Sequence, residues 1–386
     1  MIVGRTRLYH RLILLICLLS PLVCSAEERT PSPTPEADFE SVSNGCDLQF
    51  PRDHGAHPGF QTEWWYYTGN LRGEGGERYG FQITFFRRQI APLAEQEKWP
   101  DPVSTWRTLQ VYFAHTALSN MATGKFHHGE KISRGAADLA GVRQGPSETL
   151  IFLEDWSARI TPSGHELKSQ AQSFSIQLNL KPLKEPVLHG ESGYSLKGST
   201  PDKASCYYSL TRMEALGIVT LGNRDIPVAG TAWMDHEFSS TPIESIYVGW
   251  DWFSLQFTDN TELMIYLLRK KDGSFGTPSS GTFVDAAGRG FHLGSDEFSV
   301  QALDFWKSPH TGATYPSRWK LHVHPIQMDL TVEANLADQE LRTGGSTQIT
   351  YWEGSVSATG AVSGKPVASV GYVELTGYAH PIEALH

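Results

Sequence analysis

The chain has 386 residues, a formal net charge of −10 and 19% charged residues. This length is sufficient for two ordinary domains with full-sized cores. The acidic charge argues against a nucleic-acid-binding protein, and four cysteines are too few for a small disulfide-rich fold.

The first 26 residues have the pattern of a secretory signal peptide. Three arginines precede an apolar run at residues 12–19, and a Ser-Ala pair ends at Ala26. The run is too short to span a membrane, so we expect cleavage near Ala26, which leaves a mature charge of −13. No later segment is apolar for long enough to be a transmembrane segment. A periplasmic or secreted protein is therefore predicted. Lipid anchoring at Cys24 is less favoured, because Val23 is larger than the residue that normally precedes an acylated cysteine.

Residues 27–46 are predicted to form a flexible leader, because prolines recur at every second position from 31 to 35. The mature chain keeps Cys46 and Cys206. They either form one disulfide in an oxidising compartment or are two separate small buried residues, and the sequence leaves both interpretations open.

The rest of the chain consists of short segments rich in aromatic and β-branched residues, separated by turns that contain Gly, Asn, Asp or Pro. A short helix is predicted at residues 334–341. The strands are too numerous for one ordinary sheet, so we predict an all-β protein with two antiparallel barrels or sandwiches, at residues 47–243 and 244–386. The predicted strands are residues 62–71, 79–88, 109–118, 125–133, 213–221, 226–235, 247–257, 262–269, 281–285, 298–306, 318–323, 327–334, 348–357 and 367–375.

Two neighbouring segments, residues 233–240 and 247–253, place acids and a histidine among aromatic residues. Strand alternation puts Asp235 and Glu237 on one face and His236 on the other, and it puts Asp251 on a face with aromatic side chains. Burial among such rings can keep a carboxylic acid protonated at neutral pH. We therefore predict that Asp235 and Asp251 face a shared aromatic cavity.

Side chains on other predicted strands can also line a pocket, since a closed barrel of about eight strands can hold one small apolar ligand. Any single aromatic residue among them can instead be part of the ordinary core and line no pocket. His115 can likewise be a hydrogen-bonded core residue instead of a ligand-binding one. The predicted ligand-binding residues are Glu63, Trp65, His115, Trp233, Tyr247, Trp250 and Trp252.

Several motifs resemble the AttH-like, or carotenoid 1,2-hydratase-like, family of exported proteins. They occupy residues 57–69, 79–87, 233–237, 249–252, 351–354 and 371–378, and so cover nearly the whole mature chain. The resemblance implies two lipocalin-like β-barrel domains packed together. It implies less about the reaction, because members include carotenoid hydratases, proteins that assist cyclisation and proteins associated with ABC export systems. Phe238 departs from the pattern, which has tryptophan after Asp-His-Glu.

Two functions fit this combination. The first is a cofactor-free hydratase acting on a terpenoid- or lipid-like substrate, with Asp235 as proton donor, Asp251 as the second candidate, and His236 or Glu237 orienting water. Hydrolysis is a weaker variant, since the chain has no Gly-x-Ser-x-Gly motif. The second is a non-catalytic periplasmic carrier or chaperone that works with an ABC transporter and needs the same cavity but no reactive acid. No cofactor or metal site is predicted, because adjacent Asp-His-Glu lacks the spacing of a metal-binding motif.

Overall fold

The computed structural model describes residues 39–42 and 45–382, so the predicted signal peptide and most of the predicted leader lie outside the described residues. Strands dominate the described part of the chain, and its helices are the short 3-10 helices Arg52–His54 and Leu93–Lys98. The all-β prediction is confirmed. Within the described residues we find no helix with the length and apolarity needed to cross a bilayer.

The first sheet curls into a nearly closed barrel, and every strand in it precedes residue 240. All its pairings are antiparallel, and its main path runs β4-β3-β2-β1-β13-β12-β9-β8-β7-β6-β5, while β10 and β11 pair with β12. Its strands are β1 (Thr62–Gly73), β2 (Arg78–Gln89), β3 (Gln110–Asn120), β4 (Lys125–Arg134), β5 (Ala140–Gln144), β6 (Thr149–Leu153), β7 (Trp156–Thr161), β8 (Gly164–Gln170), β9 (Phe174–Pro182), β10 (Val187–Leu188), β11 (Tyr194–Leu196), β12 (Ala204–Leu221) and β13 (Arg224–Ser239).

The second sheet forms a half-barrel from strands that all follow residue 246. Its main path runs β17-β16-β15-β14-β23-β22-β20-β19-β18, and β21 pairs with β22. Its strands are β14 (Tyr247–Phe257), β15 (Glu262–Lys270), β16 (Ser280–Val284), β17 (Gly290–Leu293), β18 (Phe298–Lys307), β19 (Thr314–Val323), β20 (Met328–Ala334), β21 (Glu340–Arg342), β22 (Thr350–Val362) and β23 (Lys365–Leu375). The predicted domain boundary at residues 243 and 244 stays a prediction, and it falls in the connection between the two sheets.

The helix predicted at residues 334–341 is wrong. Residues 335–339 form bends and irregular backbone, and β21 begins at Glu340. The pairing of β21 with β22, in which Leu341 lies opposite Tyr351, provides the backbone hydrogen bonds that a helix would otherwise have made internally. Leu341 is fully buried beside Ala117 of the first sheet, so tertiary packing overrides the local helical preference.

Side-chain alternation divides the core into three main layers. In β1, Trp65 and Tyr67 point into the first barrel, and Tyr66 between them points out of it. In β14, Phe253 points into the half-barrel, whereas Trp252 points towards the first sheet. Strands β22 and β23 lie against β1, β2 and β3, so the outward faces of the two sheets bury each other.

The segment before β1 is packed onto the first sheet. Val42 is buried beside Cys206 and Phe238, and Cys46 forms a disulfide with Cys206 of β12. Of the two interpretations that the sequence left open for these cysteines, the structure has the disulfide.

Candidate functional site

The aromatic layer between the two sheets gathers most of the residues that the sequence singled out. We call it the inter-sheet cluster. Its members come from strands of both sheets, and their side chains meet because they occupy the outward positions of those strands. The buried members are Tyr66, Tyr207, Trp233, Tyr247, Trp252, Met264, Tyr266, Leu268 and Tyr372, and Trp64, Ile243 and Trp250 are partly buried beside them.

Four carboxyl groups lie in this aromatic layer. Asp235 and Glu237 come from β13 of the first sheet, and Glu353 and Glu374 come from β22 and β23 of the second. Glu353 and Glu374 are direct cross-strand partners, so their carboxyl groups lie on the same face of the sheet at close range. Asp235, Glu237 and Glu353 are buried, whereas Glu374 is partly exposed.

Glu353 has few hydrogen-bonding partners for a buried carboxyl group. Its Oε1 accepts a hydrogen bond from the Tyr66 hydroxyl at 2.5 Å, and its Oε2 is buried with no partner among the described residues. Burial, reinforced by the nearby Glu374, raises the pKa of Glu353 well above its ordinary value. Both causes favour the protonated form of Glu353.

Glu374 combines a raised pKa with partial exposure of the residue. Its Oε2 accepts a hydrogen bond from the Trp250 indole at 2.6 Å, while its Oε1 makes no hydrogen bond to the described residues. Burial, opposed by the Trp250 hydrogen bond and reinforced by the charges of Asp235 and Glu237, raises the pKa of Glu374 from 4.5 to about 7. An acid with this pKa can both give and take a proton at neutral pH.

Asp235 is held by donors on every side. Its Oδ2 accepts from the Tyr207 hydroxyl at 2.6 Å, and its Oδ1 accepts from the Trp233 indole at 2.5 Å and from the Ser209 hydroxyl. Burial raises the pKa of Asp235 to about 7, although these hydrogen bonds lower it. The Tyr207 hydroxyl in turn accepts from the Trp252 indole at 3.1 Å, which links β14 to this group.

Glu237 has a cationic partner. Its Oε1 lies 3.0 Å from Lys197 Nζ and accepts from the Ser205 hydroxyl at 2.5 Å. The same ammonium group lies 4.0 Å from the ring centre of Tyr266 and 4.9 Å from that of Tyr207, a geometry in which the aromatic faces stabilise its charge. The pair brings a positive charge to one side of the inter-sheet cluster.

His115 lies at another edge of the same layer. Its Nδ1 is 2.8 Å from the Tyr351 hydroxyl, its Nε2 is 3.0 Å from the Ser346 hydroxyl, and its ring packs against Phe86. Burial lowers the pKa of His115 to about 3, so the imidazole is neutral. His115 therefore joins the first sheet to residues of the second through hydrogen bonds at both ring nitrogens.

Three of the predicted site residues lie inside the first barrel instead. Glu63, Trp65 and His236 share its interior face, with the Trp65 ring stacked on His236 at 4.8 Å. His236 Nε2 is 2.9 Å from Glu63 Oε1, and Arg87 Nε donates to Glu63 Oε2 at 2.7 Å. Because β13 is regular here, His236 is separated by the sheet itself from Asp235 and Glu237. The structure therefore places His236 on the opposite face of β13 from Asp235, and its predicted role in orienting water stays a prediction.

His57, Glu63 and His236 have potential ligand atoms close enough together to hold a metal ion. Among the described residues, this is the one group of three such side chains with that spacing. Their donor atoms, however, are already engaged with one another. His57 Nδ1 lies 2.7 Å from Glu63 Oε1, and the cationic Arg87 occupies the other carboxylate oxygen. The contacts fit a hydrogen-bonded network that ties residues 53–57 to the barrel better than a cation site.

Asp251 lies inside the half-barrel, on the same face of β14 as Phe253. Its Oδ2 accepts from the Tyr378 hydroxyl at 3.0 Å, and Arg269 Nε is 3.4 Å from its Oδ1. Burial raises the pKa of Asp251 to about 6, opposed by the Arg269 charge. The prediction that Asp235 and Asp251 face a shared cavity is wrong, because the two-residue period of β14 directs Trp252, and not Asp251, towards the first sheet.

The comparison with protein-family models identifies the chain. The model described as AttH-like matches residues 41–378. The chain belongs to the AttH-like family. No curated protein sequence matches it significantly.

Solved structures share the AttH-like fold. A crystal structure from Nitrosomonas europaea, named as an AttH protein, is 36% identical and covers 88% of this chain and 100% of its own, with a TM-score of 0.77. Kievitone hydratase from Nectria haematococca is 15% identical, with 90% and 98% coverage and a TM-score of 0.63. CghA is 12% identical, with 90% and 95% coverage and a TM-score of 0.52. The last two likenesses show the fold alone.

The structure of this AttH-like chain adds residues that the sequence reasoning missed. Tyr66, Glu353 and Glu374 complete the inter-sheet cluster beside the predicted Asp235 and Trp250. A signal was present, since each of the two glutamates interrupts an aromatic or β-branched run in a predicted strand. What the sequence did not provide was the pairing of β22 with β23, which places the two carboxyl groups opposite each other.

Proposed function

We propose that this protein binds an apolar, alkene-containing small molecule at the inter-sheet cluster and protonates it with Glu374, as a cofactor-free hydratase. The observation that carries the proposal is the state of Glu374. It is a partly exposed carboxyl group with a pKa of about 7 and an oxygen free of hydrogen bonds to the described residues, and it lies beside the Trp250 ring. A neutral acid at an aromatic wall is the arrangement that alkene protonation requires.

The reaction needs no redox partner. The electron pair of the carbon–carbon double bond takes the proton from Glu374, which leaves a carboxylate and a carbocation. The faces of aromatic rings such as Trp250 attract that positive charge. Water then adds to the cation and returns one proton to the carboxylate. The net change is the addition of one water molecule, and the acid is regenerated.

Glu374 fits the donor role better than Asp235, the first choice from sequence. Both oxygens of Asp235 already accept hydrogen bonds, from Tyr207, Ser209 and Trp233, whereas Glu374 has one oxygen with no hydrogen bond to the described residues. Asp235 is also buried, whereas the Glu374 residue is partly exposed. In the proposal Asp235 acts on Glu374 through its charge, which keeps the pKa of Glu374 high.

We also propose that the protein works in an oxidising compartment after export. The disulfide between Cys46 and Cys206 supports this location, because such bonds persist in secreted and periplasmic proteins and are rare in the cytosol. Fractionation of cells that express the full chain tests the idea. Recovery of the processed protein outside the cytoplasm is expected, and retention of the whole chain in the cytosol would refute it.

Turnover in deuterated water tests the hydratase. The wild-type protein is incubated with a panel of isoprenoids that carry terminal trisubstituted double bonds, and products are analysed by mass spectrometry. We expect an alcohol that carries one new carbon-bound deuterium. Glu374→Gln keeps a hydrogen-bond acceptor for Trp250 but removes the acid, so it should lower the rate at least a hundredfold.

Asp251→Asn is the matched control, because Asp251 is another buried acid with a raised pKa but faces the interior of the half-barrel. Its turnover should stay within a few-fold of wild type. Equal activity of wild type and Glu374→Gln would exclude the proposed donor. Tight binding of an isoprenoid with no turnover by wild type would favour the carrier function over the hydratase.

A further inference from the structure

A pocket lies outside the inter-sheet cluster, at one end of the first barrel. It has a volume of about 1330 Å³ and is bounded by the segment 50–54, the turns that follow β5 and β7, and the residues after β9. We call it the end pocket. Its wall includes the apolar side chains Phe50, Ile160 and Leu210 and four prolines of the surrounding turns, which present a large apolar surface to a ligand.

Two imidazoles, His54 and His165, also line the end pocket, with ring centres 5.9 Å apart. His165 is 3% exposed. Each ring has its Nδ1 next to a buried tyrosine hydroxyl: His165 at 3.0 Å from Tyr67, and His54 at 2.7 Å from Tyr208. The Nε2 atoms of both rings make no hydrogen bond to the described residues. The pocket therefore contains two polar groups that are fixed in position and lack partners.

The tyrosine protons decide what each ring offers. The hydroxyl of Tyr67 has His165 Nδ1 as its acceptor among the described residues, so it donates its proton there. A neutral His165 then carries its own proton on Nε2. Burial keeps the ring neutral, since it lowers the pKa of His165 to about 3. His165 is a hydrogen-bond donor to the end pocket.

His54 offers a hydrogen-bond acceptor to the end pocket, where His165 offers a donor. His236 donates from Nε2 to Glu63, so its Nδ1 is an acceptor 3.0 Å from the Tyr208 hydroxyl, and the Asp53 carbonyl oxygen is a second acceptor at 3.3 Å. With its proton directed to either of these acceptors, the Tyr208 oxygen accepts from His54 Nδ1, which then carries the proton of that ring. Burial lowers the pKa of His54 to about 4, so the ring is neutral and its Nε2 is a bare acceptor.

We propose that the end pocket binds an apolar molecule through a hydroxyl group held between His165 and His54. A hydroxyl is both donor and acceptor, so it can accept from His165 Nε2–H and donate to His54 Nε2 at once. The lining favours an uncharged ligand. The basic Arg52 and Lys181 are balanced by the acidic Glu148 and Glu185, and the third basic residue, Lys184, is paired with Glu262 at 2.7 Å. This site is separate from the inter-sheet cluster and does not depend on the proposed hydratase activity.

Calorimetric titration of the full chain with geraniol and with geranyl methyl ether tests the proposal. The ether keeps the apolar body and the acceptor but lacks the hydroxyl proton. Geraniol should bind roughly tenfold more tightly, the effect of one hydrogen bond to an otherwise unpaired group. Equal dissociation constants for the two compounds would overturn the assignment.

Variants locate the binding. Ser147→Trp fills the end pocket from its exposed rim and should abolish geraniol binding, with Ser147→Ala as its control. His165→Leu should reduce the affinity for geraniol to that for the ether. Glu214→Gln, at an exposed position of β12, should leave binding unchanged. Binding that survives Ser147→Trp and is lost in Glu374→Gln would place the ligand between the sheets and refute this proposal.

Nitrogen NMR of the histidine rings gives a readout that is independent of any ligand. The proton should lie on Nδ1 of His54 and on Nε2 of His165, and geraniol should shift both Nε2 signals. The reverse pair of tautomers would contradict the donor and acceptor assignment.

Discussion

Replacing Glu374 with glutamine should stabilise the protein at alkaline pH and leave it nearly unchanged at acidic pH. The pKa of Glu374 is raised from 4.5 to about 7 in the folded protein, chiefly by burial. A raised carboxyl pKa means that stability is fully present below 4.5 and falls as the pH rises to about 7. The pKa difference between the unfolded and the folded protein, from 4.5 to about 7, corresponds to about 3 kcal/mol of folding free energy that is lost above pH 7. This figure is an upper bound, because the residue is partly exposed.

Urea denaturation followed by tryptophan fluorescence measures this effect at pH 5 and pH 8. Glu374→Gln should be about 2 to 3 kcal/mol more stable than wild type at pH 8, and the two should differ by less than 1 kcal/mol at pH 5. Glu214→Gln, at an exposed position of β12, is the control and should show no such pH-dependent gain. If the stability difference between Glu374→Gln and wild type is the same at pH 5 and pH 8, the reasoning is refuted.

Two further predictions concern the first barrel. Arg87→Met leaves the fully buried Glu63 without its cationic partner and should destabilise the protein by about 3 to 5 kcal/mol in urea denaturation. Arg224→Met, at the exposed pair with Glu77, is the control and should cost less than about 1 kcal/mol. Similar losses of stability in the two variants would mean that the Arg87 pair is not buried in solution. Reducing the disulfide, which closes a loop with a sequence separation of 160, should lower the free energy of unfolding by up to about 5 kcal/mol. An unchanged urea midpoint after complete reduction would contradict that estimate.

The sequence predicted the long strands of both sheets because they carry dense aromatic and β-branched residues. It missed β5–β11, the strands that complete the first barrel. Segments such as Gly164–Gln170 alternate buried and exposed residues, with His165, Leu167 and Ser169 inside. In Gly164–Gln170 the inward positions include the polar His165 and Ser169, and the outward positions include the charged Glu166 and Lys168, so this strand lacks an apolar run. Such strands are stabilised by pairing with neighbours instead of by local preference.

For the site, alternation correctly separated His236 from Asp235, since it depends only on the geometry of a single strand. It could not reveal which face of β14 meets the first sheet, and so it placed Asp251 wrongly. It also could not bring Glu353 and Glu374 to Asp235, because these residues are more than 110 positions away in the sequence. Contacts across two sheets depend on topology and packing, which local patterns do not encode.

The titration of the glutamate side chains tests the central claim, that a neutral and accessible acid lies between the two sheets. Carbon-13 NMR of protein labelled at the glutamate carboxyl carbons should show one signal with a midpoint near pH 7 that is absent from Glu374→Gln, and that signal should shift when an isoprenoid binds. If the signal lost in Glu374→Gln titrates instead near pH 4.5, Glu374 is ionised at neutral pH and the acid-catalysed mechanism is contradicted.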